Sequence, residues 1–260
     1  MPLDARLRHT GRRKEASTFR EHRSRLALLG VLGAFLLLTL AASSCGDDDD
    51  EEAERSPAAQ PTRDSSRLSA TVDNPLFPLS TIRATLFEGI EGRTAIRSES
   101  RVLDRPGEVS GVPVTVVDVR EYEDGQLVEH TRDYYAQHTD GSVRYMGEAV
   151  DDIEDGGVVG HEGQWLAGRD NARPGIFMPA DPKVGDAFEQ ERAPGVAEDR
   201  SEVVAVGLKV TTPAGRFDDC IKTKDFAPLD KNTEFKYYCA GVGLVREQFP
   251  EGRLDLVRYH

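Results

Sequence analysis

From Val112 to Ile153 the chain runs as three blocks rich in Val, Tyr and Thr, separated by Asp124-Gly125 and Asp140-Gly141. Residues of those types fit a pleated, half-buried surface. Asp-Gly supplies the positive φ angles that a tight hairpin needs. The pattern predicts strands at 112–122, 126–138 and 142–153, an antiparallel meander. Further strands are predicted at 200–211, 216–226, 233–239, 243–249 and 253–259. Turns fall at Pro213-Ala214-Gly215, at 241–243 and at Pro250-Glu251-Gly252. Beyond residue 45 no stretch keeps an apolar period near 3.6, so helices are not expected. The predicted class is all-β. Between Gln164 and Asp186 the spacing loosens around Pro174-Gly175 and 179–182, which predicts a long apolar loop carrying Trp165, Ile176, Phe177 and Met178.

A different pattern fills the start of the chain. The first 25 residues carry eight Lys or Arg and three acids, a net +5. Residues 26–42 are uncharged and Leu-rich. A spanning helix needs about 20 apolar residues, and positive charge holds the preceding end on the cytoplasmic side. A segment this short suits the apolar region of an export signal. It closes on Leu40-Ala41-Ala42-Ser43-Ser44-Cys45. Small residues before a Cys resemble the lipobox of bacterial lipoproteins, although Ala42 stands where that motif usually has Leu. The resemblance implies a signal peptide at 1–44 and diacylglycerol with further acyl chains, such as palmitate, on Cys45. An uncleaved anchor, or ordinary cleavage near Ala42, would also put the rest of the chain outside the cytoplasm. Residues 47–52 are all acidic and a Pro-, Ser- and Ala-rich stretch follows. Such composition stays extended and solvated, so 45–70 is read as a tether and 71–260 as one folded domain.

Charge then narrows the partners. The whole chain carries 33 Lys and Arg against 46 Asp and Glu; without the first 44 residues, 25 face 43, a net −18. That disfavours nucleic acid, whose binding is dominated by phosphate charge. Membrane association is expected through the lipid alone. Three cysteines are present. With Cys45 acylated, Cys220 and Cys239 remain, and a hairpin turning at 227–232 sets them directly opposite each other. Opposed residues lie within disulfide reach, and an oxidising compartment favours the bond. The alternative is a pair of buried free thiols.

The two Asp-Gly turns also fix a register. Across the second, Asp133 is expected to face Glu148 and Glu129 to face Asp152. Across the first, Arg120 is expected to face Glu129 and Asp118 to face Thr131. One face then gathers Asp118, Glu129, Asp133, Glu148 and Asp152 against one arginine. Opposed like charges destabilise a sheet, and Ca²⁺ takes oxygen ligands of this kind, so Asp133, Glu148, Glu129 and Asp152 are the candidate metal ligands. The competing reading is a solvated acidic face. His130 and Asp151 are expected opposite each other on the other face, with no Ser or Cys placed to complete a nucleophilic site. Neither zinc-type spacing nor a phosphate-binding loop occurs.

The segments DYYAQHTDGSVRYMGE, PGIFMPADPKVGDAFEQE and EFKYYCAGVGLVRE resemble a family of uncharacterised exported bacterial proteins. The resemblance covers about 74–248. It implies a curled antiparallel sheet or open half-barrel, like those of bacterial lipoprotein carriers, and brings no catalytic residues. Cys239 stands where the family pattern implies Ala. The expected role is a lipid-anchored binding or carrier module for an apolar ligand or an envelope protein, with Trp165, Ile176, Phe177 and Met178 as the apolar contacts. The alternatives are an exported enzyme using carboxylates or a metal, and a structural envelope protein.

Overall fold

The structure, a computed structural model, describes residues 67–229 and 231–260. Cys45, residues 1–44, where a leader is expected, and the acidic tract lie outside the described residues.

The described chain is a succession of antiparallel strands: β1 (Leu68–Ser69), β2 (Ala84–Glu91), β3 (Thr94–Val102), β4 (Gly107–Val109), β5 (Val112–Glu123), β6 (Gln126–His138), β7 (Val143–Glu154), β8 (Gly157–Gly160), β9 (Trp165–Leu166), β10 (Gly175–Met178), β11 (Ala187–Glu189), β12 (Arg200–Thr212), β13 (Gly215–Ala227), β14 (Asn232–Cys239), β15 (Gly243–Phe249) and β16 (Gly252–Tyr259). One sheet holds them in the order β10-β7-β6-β5-β3-β2-β16-β15-β14-β13-β12-β11. β1 adds to β6, β4 to β5, and β8 and β9 to β7. Two meanders are thus spliced where β16 pairs with β2, Leu254 opposite Gly89. Among the described residues no helix is long and apolar enough to cross a membrane.

The sheet curls until its ends meet without pairing as a ladder. Arg173, before β10, donates a backbone hydrogen bond to Arg192, after β11, at 3.0 Å. A Cβ on Gly175 would overlap the Gln190 carbonyl, so only a glycine lets the backbones come this close. Across the interior, Phe177 on β10 lies edge-on to Tyr238 on β14, with centroids 6.4 Å apart. The result is a curled sheet that is not closed into a barrel.

Two apolar clusters fill it. The larger is built on Val114, Tyr135, Tyr145, Met178 and Tyr238. The smaller is built on Phe87, Val245, Leu254 and Leu256 with Cys220 and Cys239. The two cysteines face each other across β13 and β14 and are joined by a disulfide. The register of that hairpin is the expected one along its whole length, and Ala227 pairs with Asn232 as well.

The first Asp-Gly turn departs from expectation. Asp124 and Gly125 both have positive φ, and Glu123 faces Gln126. The register then shifts between Glu121 and Tyr122, so that Glu121 faces Glu129, Arg120 faces His130 and Asp118 faces Arg132. A one-residue slip turns every following side chain to the other face. Asp118 and Arg120 therefore leave the acidic face and Glu121 joins it. The segment 164–186 is also more tightly held than a free loop. Trp165–Leu166 and Gly175–Met178 both pair with β7.

Candidate functional site

The site begins with alternation. On β6, Glu129, Thr131, Asp133 and Tyr135 share one face, and the curl makes that face the inside. β7 sets Glu148 opposite Asp133 and Asp152 opposite Glu129, as expected. A second register shift, at Gly147 with φ +121°, places Tyr145 opposite Tyr135. The two tyrosine rings stack at 5.1 Å. From the other meander, Glu234, Lys236 and Tyr238 of β14 point inward, with Thr223 and Asp225 of β13 and Glu247 of β15 as ladder neighbours. Glu191, just after β11, is buried among them.

These residues make two adjoining compartments. The first is a cavity of ≈ 80 Å³. Phe87, Tyr135, Phe177, Tyr238 and Leu244 are among its walls. One wall is formed by a loop, in which Phe77 inserts its ring 4.9 Å from Tyr135 and 4.4 Å from Phe177. Asn74 ties this loop down. Its amide donates to the carbonyls of Gly141 and Pro179 at 2.9 and 3.1 Å. Its side-chain oxygen accepts from the Leu76 backbone N–H at 2.9 Å.

The second compartment is a belt of enclosed acids. Asp133 is 0 % exposed, Glu148 1 % and Glu191 4 %. Asp225 and Glu247 are equally enclosed, and among the described residues Lys236 is the one Lys or Arg buried with them. Its ammonium lies 2.8 Å from Glu234 and 3.5 Å from Asp225. Burial alone would lower the Lys236 pKa, but Glu234, Glu247 and Asp225 outweigh it and hold the amine charged. The carboxyls shift the other way. Burial pushes Asp133 up to about 8; Glu129 adds to the rise, while the Tyr145 hydroxyl, donating at 2.7 Å, and Lys236 oppose it. Burial and Asp152 raise Glu129 to about 7 against a hydrogen bond from Thr131. Glu148 is raised well above the usual range by burial, then by Glu191 and Asp133. Glu191 is raised likewise by burial and by Asp199, against Lys236. Neutral carboxyls are the response expected of acids taken out of water together.

Hydrogen bonding in the belt is incomplete. Neither oxygen of Glu148 has a hydrogen bond of ordinary geometry, although the Tyr145 hydroxyl lies near enough to oppose its rise, and Asp133 Oδ2, Glu191 Oε2 and the Tyr135 hydroxyl meet no partner. Buried polar atoms are nearly always paired, so this run of unmet groups marks the place. Tyr135 and Tyr238 join the compartments, each with its ring in the cavity wall. The Tyr135 hydroxyl lies within the field of Asp133, Glu148 and Glu191. That of Tyr238 lies within the field of Lys236, Asp225 and Glu247.

The residues expected from the sequence are distributed between these compartments and elsewhere. Asp133 and Glu148 come together in the belt. Glu129 and Asp152 do pair, with Asp152 at the rim accepting from the Glu162 backbone N–H at 2.9 Å. Among the described residues no group of three or more His, Cys, Asp or Glu is arranged to hold a metal ion. Phe177 lines the cavity. Trp165 packs edge-on against Tyr145 at 5.4 Å, Met178 is enclosed in the core, and Ile176 turns to the opposite face of β10. His130 faces Asp151 in the ladder but bonds Asp118 at 2.7 Å, while Asp151 meets His161 at 3.1 Å. Sequence reasoning missed Phe77, Tyr135, Glu191, Lys236 and Tyr238. The available signal was the alternation Glu234, Lys236, Tyr238, which puts three polar-ended side chains on one face of a strand.

No family model matches the chain, and no curated protein matches it. A solved structure of a candidate lipoprotein from Parabacteroides distasonis is similar at a TM-score of 0.39 and 13 % identity, over 72 % of this chain and 99 % of that one. A likeness of that degree fixes neither fold family nor function.

Proposed function

We propose that the protein is a lipid-anchored, extracytoplasmic binding module that receives the apolar group of a small ligand inside its curled sheet. One observation carries the reading: the apolar cavity is closed on one side by Phe77 on a loop, where a strand could not be withdrawn. At ≈ 80 Å³ the space is smaller than the roughly 300–1,000 Å³ of ordinary ligand pockets. Loading therefore requires the Phe77 ring to leave, and the ligand takes the place it vacates between Tyr135 and Phe177. Of the four apolar contacts expected from the sequence, Phe177 keeps a direct role. Trp165 and Met178 support the wall from behind, and Ile176 has no part in it. Anchoring rests on Cys45 and the basic and apolar segments before it.

Two measurements test this. Phe77→Ala should enlarge the cavity and raise affinity for an apolar probe such as 2-phenylethanol, read by calorimetry on the full chain in lipid nanodiscs with empty discs subtracted. Absence of binding to both wild type and variant would overturn the module. Cys45→Ser should abolish incorporation of labelled palmitate and leave the leader uncleaved, read as a heavier chain by mass spectrometry. Unchanged labelling and mass would overturn the anchor.

A further inference from the structure

We propose that the ligand carries a cationic amine, which the belt of Asp133, Glu148 and Glu191 receives while the apolar group enters the cavity beside it. This rests on the binding reading and adds the chemistry of the ligand's head.

The charge balance of the interior is the first reason. Asp133 and Glu148 on β6 and β7 meet Glu191, just after β11, and among the described residues the one buried Lys or Arg, Lys236, is paired with Glu234 and Asp225 on the β14 side and reaches Asp133 and Glu191 only through its field. An ammonium brought among these acids would favour loss of the protons that burial makes them hold, and nothing in the belt suits an anion. The unmet atoms are the second reason. Asp133 Oδ2 and Glu191 Oε2 have no hydrogen-bond partner, and Glu148 has beside it only the Tyr145 hydroxyl, which donates to Asp133; an ammonium brings three N–H donors. The Tyr135 hydroxyl, enclosed at 0 % exposure and also unpartnered, stands at the same place. The third reason is the wall. Tyr135 stacks on Tyr145, whose hydroxyl bonds Asp133, and Trp165 lies edge-on to Tyr145; aromatic faces attract organic cations, the more so when desolvated. A bare metal ion is the weaker fit, because among the described residues no group of three or more His, Cys, Asp or Glu is arranged at metal-holding distances.

Adjacency gives the ligand its shape. Asp133 and Tyr135 are two residues apart on one face of β6, so the acid and the cavity wall are consecutive inward positions. An amine one or two carbons from an aromatic ring spans that step.

The test compares 2-phenylethylamine with its neutral counterpart 2-phenylethanol, by calorimetry at pH 7.5 on full-length Phe77→Ala in nanodiscs. The amine should bind at least about tenfold more tightly, and Glu148→Gln in the same background should erase that preference. Equal affinity for the two compounds would overturn the cationic head and leave the apolar module standing. Binding of neither would overturn both. A preference for the amine that survives both Glu148→Gln and Asp133→Asn would also overturn the assignment, because the belt would then not be its source. Should Phe77→Ala fail to fold, Phe77→Leu, which keeps the loop's apolar contact, carries the same comparison.

Discussion

Gly175 and Gln190 belong to opposite ends of one sheet, and their backbones touch: a Cβ on residue 175 would overlap the carbonyl of residue 190. The curl of the sheet is therefore set at a contact where a single methyl group has no room. Gly175→Ala should push β10 away from the β11 end and cost about 1–3 kcal/mol, as overpacking does elsewhere. Thermal unfolding would show the loss, and hydrogen exchange should rise at Arg173, whose amide bonds across the seam. An unchanged melting temperature would mean that the ends can part freely.

The belt predicts an unusual dependence on pH. Folding raises Asp133 to about 8 and Glu129 to about 7, and shifts Glu148, Glu191 and Glu247 in the same direction, first through burial. An acid with a raised pKa holds its proton more tightly folded than unfolded, so its contribution is complete below its unfolded pKa and declines as pH rises through the folded one. The melting temperature should climb as pH falls from about 8 towards 5. Asp140 works in the opposite sense: burial would raise it, but Ser142 and His138 outweigh that and hold it down to about 2, so its share is lost only in strong acid. Glu148→Gln should flatten the slope. A melting temperature that falls steadily below pH 8 would contradict this picture of the interior.

Lys236 is the counter-charge of the β14 side. Lys236→Met would leave Glu234, Asp225 and Glu247 without it, and removing one partner of a buried ion pair costs roughly 3–5 kcal/mol. Chemical denaturation at pH 7.5 measures the loss. It should shrink at pH 5, where Glu234, raised first by burial, holds its proton more of the time. A cost that does not vary with pH would assign the lysine a packing role instead.

The disulfide is the fourth case. Cys220 and Cys239 are 19 residues apart, and closing a loop of about that length is worth about 3 kcal/mol in the chain-entropy model. Reduction, or a double Ser variant, should lower stability by that order while leaving the strand content in circular dichroism intact, because the ladder around the bond is complete without it.

What could be read from the chain follows from how local each signal is. Strands flanking Asp-Gly turns were legible, because turn chemistry and alternation sit in adjacent residues. The Cys220–Cys239 pairing was legible for the same reason. β2 and β3 were missed, since a Glu91-Gly92 turn between mixed polar strands lacks that contrast. The expected facing of Asp133 and Glu148 is real, yet it arises by compensation: the second turn places Gln137 opposite Val143, one residue off the expected register, and the shift at Gly147 restores it. No such compensation exists at Glu121, so Asp118 was assigned to the wrong face. The interior itself was hidden. That Asp133 and Lys236 share a compartment depends on a curl across strands far apart in sequence, which no window of residues reports. Phe77 looked like one apolar residue between prolines, because only the finished cavity reveals what its ring occupies.

The splice between β2 and β16 has a consequence for how the molecule is made. Gly89 finds its ladder partner Leu254 only after every intervening strand has been synthesised. Contacts that distant in sequence form slowly, so the first meander lacks a neighbour on one side until the last strand arrives. The order of the strands therefore makes the seam between first and last meander the final part of the sheet to close.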